Sequence, residues 1–251
     1  SRKDPILKLN ENEKTGLSDK LAMIFLETPA NPTNHLADIE ALKNNVADHY
    51  FRINKKEVLV AVDNTYMGPL WQHPLKMGAD IIIYSATKYI GGHSDVIAGA
   101  VLGNNKIMGR IKKLRTYLGN MISPYTAWLL LRSLETLKLR MDKQAENAQK
   151  VAEHLKRHKK IEKIYYLGHL EKGTPEYSIF KKQCSGPGAM VSFDIAGGEK
   201  EAFKFLNNLN LIKLAVSLGS TESLAEHPNT MTHANVDSKL KEMLQITNKM
   251  I

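Results

Sequence analysis

Residues 80–103 read DIIIYSATKYIGGHSDVIAGAVLG, and the prediction of the fold starts from this stretch. An apolar, β-branched run gives way to a short polar turn, and the chain then passes two glycines into a second apolar run. The pattern predicts a strand, a loop and a second strand. The loop carries Lys88, with the small hydroxyl residues Ser85 and Thr87 on its amino side. Desolvation there would lower the pKa of a lysine and free an amine that can form a Schiff base, and the hydroxyls could donate to a phosphate.

A second stretch, EVLVAVDNTY at residues 57–66, predicts a strand that ends at Asp63. Ligands of open α/β sheets bind at the carboxyl ends of the strands. An aspartate in that position can pair with the protonated nitrogen of a pyridine-aldehyde cofactor. The same residue types also fit a solvated loop lysine and a turn aspartate. The spacing between Asp63 and Lys88 leaves room for one crossover, so both side chains can reach one crevice.

Three motifs, SATKYIGGHSD, VDNTYMGP and ETPANPT, together resemble the Cys/Met-metabolism family of pyridoxal-phosphate (PLP) enzymes, and the resemblance runs from Leu21 to Ile251. It implies an α/β protein of PLP-dependent transferase fold type I, which is aspartate aminotransferase-like. In this fold a large domain with a mostly parallel sheet precedes a smaller α+β domain. We expect residues 1–145 to form the later part of the large domain and 146–251 the start of the small one. Against the family pattern the sequence lacks the amino-terminal third and the carboxyl end, so we expect a piece of a longer enzyme.

The resemblance implies roles for six residues. It makes Lys88 the catalytic residue, which carries PLP covalently and moves protons between substrate carbons. Asp63 would pair with the pyridine nitrogen. Ser85 and Thr87 would bind the phosphate, and Asn31 would lie near the phenolic oxygen of the cofactor and the substrate carboxylate. Ser217 would help to hold that carboxylate and the catalytic lysine. From its local pattern alone, Asn31 is equally well explained as a turn residue.

The substrate is indicated by the residue before Ser217. Here it is Val216, in AVSLG, whereas members that handle cystathionine carry glutamate, in AESLGG. An apolar residue suits a methyl thioether better than the amino acid arm of cystathionine. We therefore predict a PLP-dependent carbon–sulfur lyase that converts L-methionine to methanethiol, 2-oxobutyrate and ammonia. Cystathionine γ-lyase and cystathionine γ-synthase stay open as alternatives, because the GGHSD spelling after the lysine also occurs in cystathionine γ-lyases.

The remaining pattern predicts the other elements. Strands are expected at 21–28, 161–167, 189–195 and 212–218. Helices are expected at 37–48, 69–78, 104–118, from Ser123-Pro124 to about 158, at 175–182 and at 200–208. His154 and His158 lie four apart on one helix face, but no third ligand is near in sequence, so no metal site is predicted.

Composition narrows the function classes further. The chain has 251 residues and a net charge of +9, yet its basic residues alternate with apolar ones at helical spacing, which is typical of solvated helix faces and not of a nucleic-acid groove. No apolar run is long enough to span a membrane. The single cysteine, Cys184, suits a reducing compartment, and we expect a cytoplasmic enzyme. The family resemblance implies a homo-oligomer, a dimer of dimers.

Overall fold

The structure, a computed structural model, describes residues 21–251. Its largest sheet contains four strands in the order β1 (Met23–Glu27), β2 (Leu59–Asp63), β3 (Ile81–Ser85) and β4 (Gly99–Gly103). The first three are parallel, and β4 is antiparallel to β3. The predicted α/β architecture with a mostly parallel sheet is therefore confirmed. The strand, loop and strand expected at 80–103 correspond to β3, the Lys88 loop (residues 86–98) and β4.

Helical segments connect the parallel strands. Between β1 and β2 lie α1 (Ile39–Leu42), a π-helical turn (Lys43–Ala47) and α2 (Asp48–Asn54). This helical stretch is longer than the predicted 37–48, because Tyr50 continues the apolar face and is only 2% exposed. Between β2 and β3 lie α3 (Gly68–Trp71) and a 3₁₀ turn (Pro74–Met77). That turn ends at Gly78 with φ of 91°, so the predicted helix stop is confirmed.

Three longer helices follow the sheet: α4 (Asn105–Leu118), α5 (Pro124–Leu134) and α6 (Leu137–Lys156). The predicted start of α5 is confirmed, since the Ser123 hydroxyl accepts a hydrogen bond from the N–H of Thr126 at 3.1 Å. The single helix predicted from there to 158 is divided in two. Arg140 lies just past the break, and its guanidinium donates to the carbonyl of Ser133 at 2.9 Å and to the hydroxyl of Thr136 at 3.0 Å.

The remaining elements are short. They are β5 (Ile161–Tyr165), a 3₁₀ turn (Leu167–His169), α7 (Pro175–Gln183), β6 (Ser192–Ile195), α8 (Glu199–Asn207), β7 (Lys213–Leu214), β8 (Leu224–Ala225) and α9 (Ser238–Met243). β5 and β6 form an antiparallel pair, and β7 and β8 form a parallel pair. The strand predicted at 212–218 was wrong beyond β7. The last ladder bond runs from the N–H of Ala215 to the carbonyl of Ala225 at 3.1 Å, and Ser217 then bonds Lys88.

The two parts of the chain share packed surfaces. One buried cluster joins Met67 and Trp71, beside α3, to Leu167 and Cys184 from the carboxyl-terminal part. The amide of Asn34 also donates to the carbonyl of Tyr165 at 2.8 Å. The boundary near residue 145 remains a prediction. None of the helices in the described residues is long and apolar enough to cross a membrane.

Candidate active site

Three strand ends define the site. β1, β2 and β3 are parallel and finish at Glu27, Asp63 and Ser85, so their last side chains meet at one edge of the sheet. Glu27 and Asp63 are paired directly in the ladder between β1 and β2. The prediction that a strand ends at Asp63 is confirmed, and Ser85, expected in the turn, is the last residue of β3.

Thr65 joins two of these ends. Its backbone N–H donates to a carboxylate oxygen of Asp63 at 3.0 Å, and its hydroxyl accepts the N–H of Ser85 at 2.8 Å. The Asp63 carboxylate is therefore held by its own turn, and the end of β3 is tied to the end of β2. Sequence reasoning missed Thr65, although a threonine two residues after the aspartate is an ordinary turn signal.

Asn64 fixes this turn to the interior of the protein by hydrogen bonds. It is fully buried, and its side-chain nitrogen donates at 3.0 Å to the carbonyls of Gly68 and Gln72 and to the hydroxyl of Tyr84. Asp63 thus projects from a segment whose next residue is fixed on three sides.

The Lys88 loop is a tight turn held by backbone bonds. The N–H of Lys88 donates to Ser85 at 3.1 Å, and the N–H of Gly92 donates to Lys88 at 2.7 Å. The hydroxyl of Thr87 accepts the N–H of Ala98 at 3.0 Å and donates to its carbonyl at 3.3 Å. In this arrangement the Thr87 hydroxyl closes the loop, and its proton is directed at protein and not at the crevice. Its predicted role in phosphate binding remains a prediction.

Ser217 reaches the loop from the carboxyl-terminal part. The amine of Lys88 donates to the Ser217 hydroxyl at 3.0 Å. Gly219, two residues later, lies against the loop backbone, where an added Cβ would come within 2.6 Å of the Tyr89 nitrogen. Its φ of 81° also favours glycine. The structure therefore brings together Lys88 and Ser217, two of the six predicted site residues.

Arg140 supports the loop on another side. Its guanidinium donates to the carbonyl of Tyr89 at 2.8 Å while also bonding Ser133. Burial lowers its pKa from the ordinary value. The guanidinium lies so close to the loop that a Cβ at Gly92 would be 2.0 Å from one of its nitrogens. The junction of α5 and α6 is thus bonded to the residue next to Lys88.

Asn31 lies in the turn after β1, and its backbone is bonded to two titratable side chains. It hydrogen-bonds the carboxyl of Glu27 and the ring of His233. Burial lowers the pKa of His233, the Asn31 bond acts in the opposite direction, and the charge of Lys241 lowers it further. His233 therefore lies against the turn that carries Asn31. Residue types alone gave no sign of this.

Glu226 is a second acid near the lysine. One of its oxygens accepts the Thr232 hydroxyl at 2.9 Å, and the other is buried with no hydrogen-bond partner in the described residues. Burial raises its pKa, while the Thr232 bond and the charge of Lys88 act against that rise. Tyr66 is 2% exposed, and burial raises its pKa, as do Tyr89, Glu27 and Glu226. Its hydroxyl is therefore neutral.

The family model described as Cys/Met metabolism PLP-dependent enzyme matches residues 6–251. The chain belongs to this family. It is 41% identical over 240 residues to an L-methionine γ-lyase of Fusobacterium nucleatum subsp. polymorphum, covering 95% of this chain and 59% of the relative. It is 39% identical over 239 residues to a cystathionine γ-lyase of Dictyostelium discoideum, again covering 95% and 59%.

Solved structures of related enzymes have the same fold as this chain. A cystathionine γ-lyase from Lactobacillus plantarum, complexed with L-serine, superposes with a TM-score of 0.83 at 37% identity, covering 94% of this chain and 59% of that one. The chain therefore spans about 59% of the length of the relatives it matches.

The residues at the sheet edge fit PLP, the cofactor of this family. The amine of Lys88 suits its aldehyde, the Asp63 carboxylate suits its ring nitrogen, and the Ser85 hydroxyl suits its phosphate. The hydrogen bond to Ser217 directs the Lys88 amine at one partner, and this pair is exposed to solvent. In the described residues no group of three His, Cys, Asp or Glu could hold a metal ion.

Proposed function

We propose that the protein catalyses γ-elimination of sulfur amino acids, with L-methionine as the preferred substrate. The observation that carries this is the bond from the Lys88 amine to Ser217, beside the carboxyl ends of β2 and β3. L-Methionine and water would give methanethiol, 2-oxobutyrate and ammonia. PLP, when bound, supplies an electron sink that stabilises negative charge at the α-carbon.

The residues of this chain then divide the work. Lys88 takes the α-proton and later moves protons at the β- and γ-carbons, and Ser217 orients its amine by accepting a hydrogen bond. Asp63, held by Thr65, accepts the ring N–H and keeps that nitrogen protonated. Asn31 and Ser217 bind the substrate carboxylate. Thr87 keeps the loop closed.

The preference for methionine rests on Val216. Its side chain is apolar and 50% exposed, and it precedes the serine that contacts Lys88. A methyl thioether can pack against valine, whereas the valine side chain offers no hydrogen bond to a second ammonium and carboxylate. Relatives named L-methionine γ-lyase and cystathionine γ-lyase match at 41% and 39% identity, so they support the class of lyase, and the choice of methionine rests on Val216.

Cystathionine cleavage to cysteine, 2-oxobutyrate and ammonia is the second candidate. It is favoured by Glu226, whose buried oxygen has no hydrogen-bond partner in the described residues. A half-buried carboxylate within electrostatic reach of Lys88 could accept the distal ammonium of cystathionine.

The test offers the PLP-loaded protein L-methionine and L-cystathionine separately, and methanethiol, cysteine and 2-oxobutyrate are quantified. Methanethiol formation that rivals cystathionine cleavage supports the methionine assignment. Cysteine with little methanethiol would make cystathionine the substrate, and Glu226→Gln should then weaken its use about tenfold. If no 2-oxobutyrate forms from either, the γ-elimination proposal fails. Lys88→Ala is the control that must abolish both reactions.

The protein is also proposed to assemble with copies of itself, as a dimer of dimers. α4 and α5 expose large apolar side chains, notably Tyr117 (73%), Leu131 (66%) and Trp128 (54%). Exposed apolar area of this kind is typical of an interaction surface. Sedimentation of the protein and of a Leu131→Glu variant tests this, because a charge at the interface should lower the assembly state. A monomer in both cases would contradict it.

A further inference from the structure

Two carboxyl groups end neighbouring strands at the site. Glu27 and Asp63 are opposed in the ladder between β1 and β2. Parallel strands lie about 4.8 Å apart, and side chains at paired positions project from the same face. Two carboxylates at such a separation repel one another, so one of them tends to keep its proton.

Both groups are fixed. Asp63 accepts the N–H of Thr65 at 3.0 Å, and Glu27 accepts the backbone N–H of Asn31. The residue after Glu27, Thr28, is fully buried, and its carbonyl accepts the side-chain amide of Gln72 at 2.8 Å. The strand end that carries Glu27 therefore cannot swing away to relieve the repulsion.

The local charges favour the proton on Glu27. Burial and the charge of Asp63 raise the pKa of Glu27 to about 7, and the Asn31 bond acts against that rise. The residue as a whole is exposed at the edge of the sheet, so the repulsion by Asp63 is the firmer of the two causes. Tyr66, which also faces Glu27, is buried and neutral.

We propose that Glu27 is a positioning residue that shares one proton with Asp63 and so presents a single, oriented carboxylate to the cofactor nitrogen. This rests on the proposed role of Asp63. A protonated ring nitrogen beside Asp63 would offset its charge, and the pKa of Glu27 would fall. Cofactor binding near pH 7 would then release a proton from Glu27.

The experiment is calorimetric titration of the cofactor-free protein with PLP at pH 7, in two buffers of different ionisation enthalpy, which counts the protons released. Because the pKa of Glu27 is raised, part of this carboxyl is protonated at pH 7, so the wild type should release up to about half a proton more than Glu27→Gln. Glu27→Asp, which draws the acid back by one methylene, should release an intermediate number. Glu176→Gln, an exposed acid on α7, should match the wild type.

Asp63→Asn separates the two proposals. If it binds PLP as tightly as the wild type, the role of Asp63 falls. If it binds weakly while the wild type and Glu27→Gln release equal protons, Asp63 keeps its role and the role of Glu27 is overturned. Should Glu27→Gln fail to fold in a melting experiment, Glu27→Asp decides the question in the same way.

Discussion

Replacing Gly219 with alanine places a methyl group against the backbone of the Lys88 loop. The new Cβ would lie 2.6 Å from the nitrogen of Tyr89 and 2.9 Å from the carbonyl carbon of Lys88. These are backbone atoms, so no side-chain rotation relieves the overlap. The φ of 81° adds a second penalty, because alanine rarely adopts it.

The magnitudes can be separated with a matched variant. A left-handed backbone costs alanine about 1–2 kcal/mol, and overpacking typically adds about 1–3 kcal/mol. Gly173 has φ of 91° with nothing within 4 Å of its Cβ, so Gly173→Ala incurs only the first cost. For a protein of this size each kcal/mol shifts Tm by about 2–4 °C. We expect a loss of about 2–8 °C for Gly173→Ala and about 4–20 °C for Gly219→Ala.

The loop should also respond in its chemistry. Ser217 lies two residues before Gly219, so a displacement of this segment lengthens the bond of 3.0 Å between Ser217 and the Lys88 amine. Gly219→Ala should therefore weaken PLP binding, measured by absorbance titration, whereas Gly173→Ala should not. Equal losses of Tm in the two variants, with equal PLP affinity, would mean that Gly219 does not fit closely against the loop.

Three further substitutions test the site. Ser217→Ala removes the acceptor of the Lys88 amine, and steady-state kinetics should show kcat reduced about 10- to 100-fold with Tm unchanged. Thr65→Ala removes the acceptor for the Ser85 N–H, and a denaturant titration should show a loss of about 1–3 kcal/mol; no loss would mean that water replaces the hydroxyl. Glu27→Gln should flatten the pH dependence of Tm in the cofactor-free protein. The folded pKa is raised from 4.5 to about 7, so ionisation of Glu27 destabilises the wild type as pH rises through that window. An unchanged slope between pH 5 and 8 would contradict this.

Strand ends were the part of the site that the sequence could predict. β-branched runs followed by polar residues identify β2 and β3, and the parallel order then brings Asp63 and Ser85 to one edge. The contact of Ser217 with Lys88 spans 129 positions, and it was expected from the family resemblance and not from any local pattern.

Other features depend on tertiary contacts that leave no local signal. The strand expected at 212–218 is abandoned after Leu214, because residues 217–219 pack on the Lys88 loop, a contact that outweighs strand propensity. No proline or glycine lies between α5 and α6, so the sequence gives no signal for the break in the helix. Glu226 comes within electrostatic reach of Lys88 only because its segment folds back towards the Lys88 loop.

The fixation of Lys88 has a consequence for folding. Arg140 donates a hydrogen bond to the carbonyl of Tyr89, the residue after Lys88, which is 51 positions away in the chain. Ser217 accepts a hydrogen bond from the Lys88 amine and is 129 positions away. Contacts of such separation form late, because they require the closure of long loops. The lysine therefore acquires its directed amine only when α6 and the segment around Ser217 have both docked. Selective reaction of an aldehyde at this one lysine would then be a signal that folding is complete, readable from the colour of the cofactor during refolding.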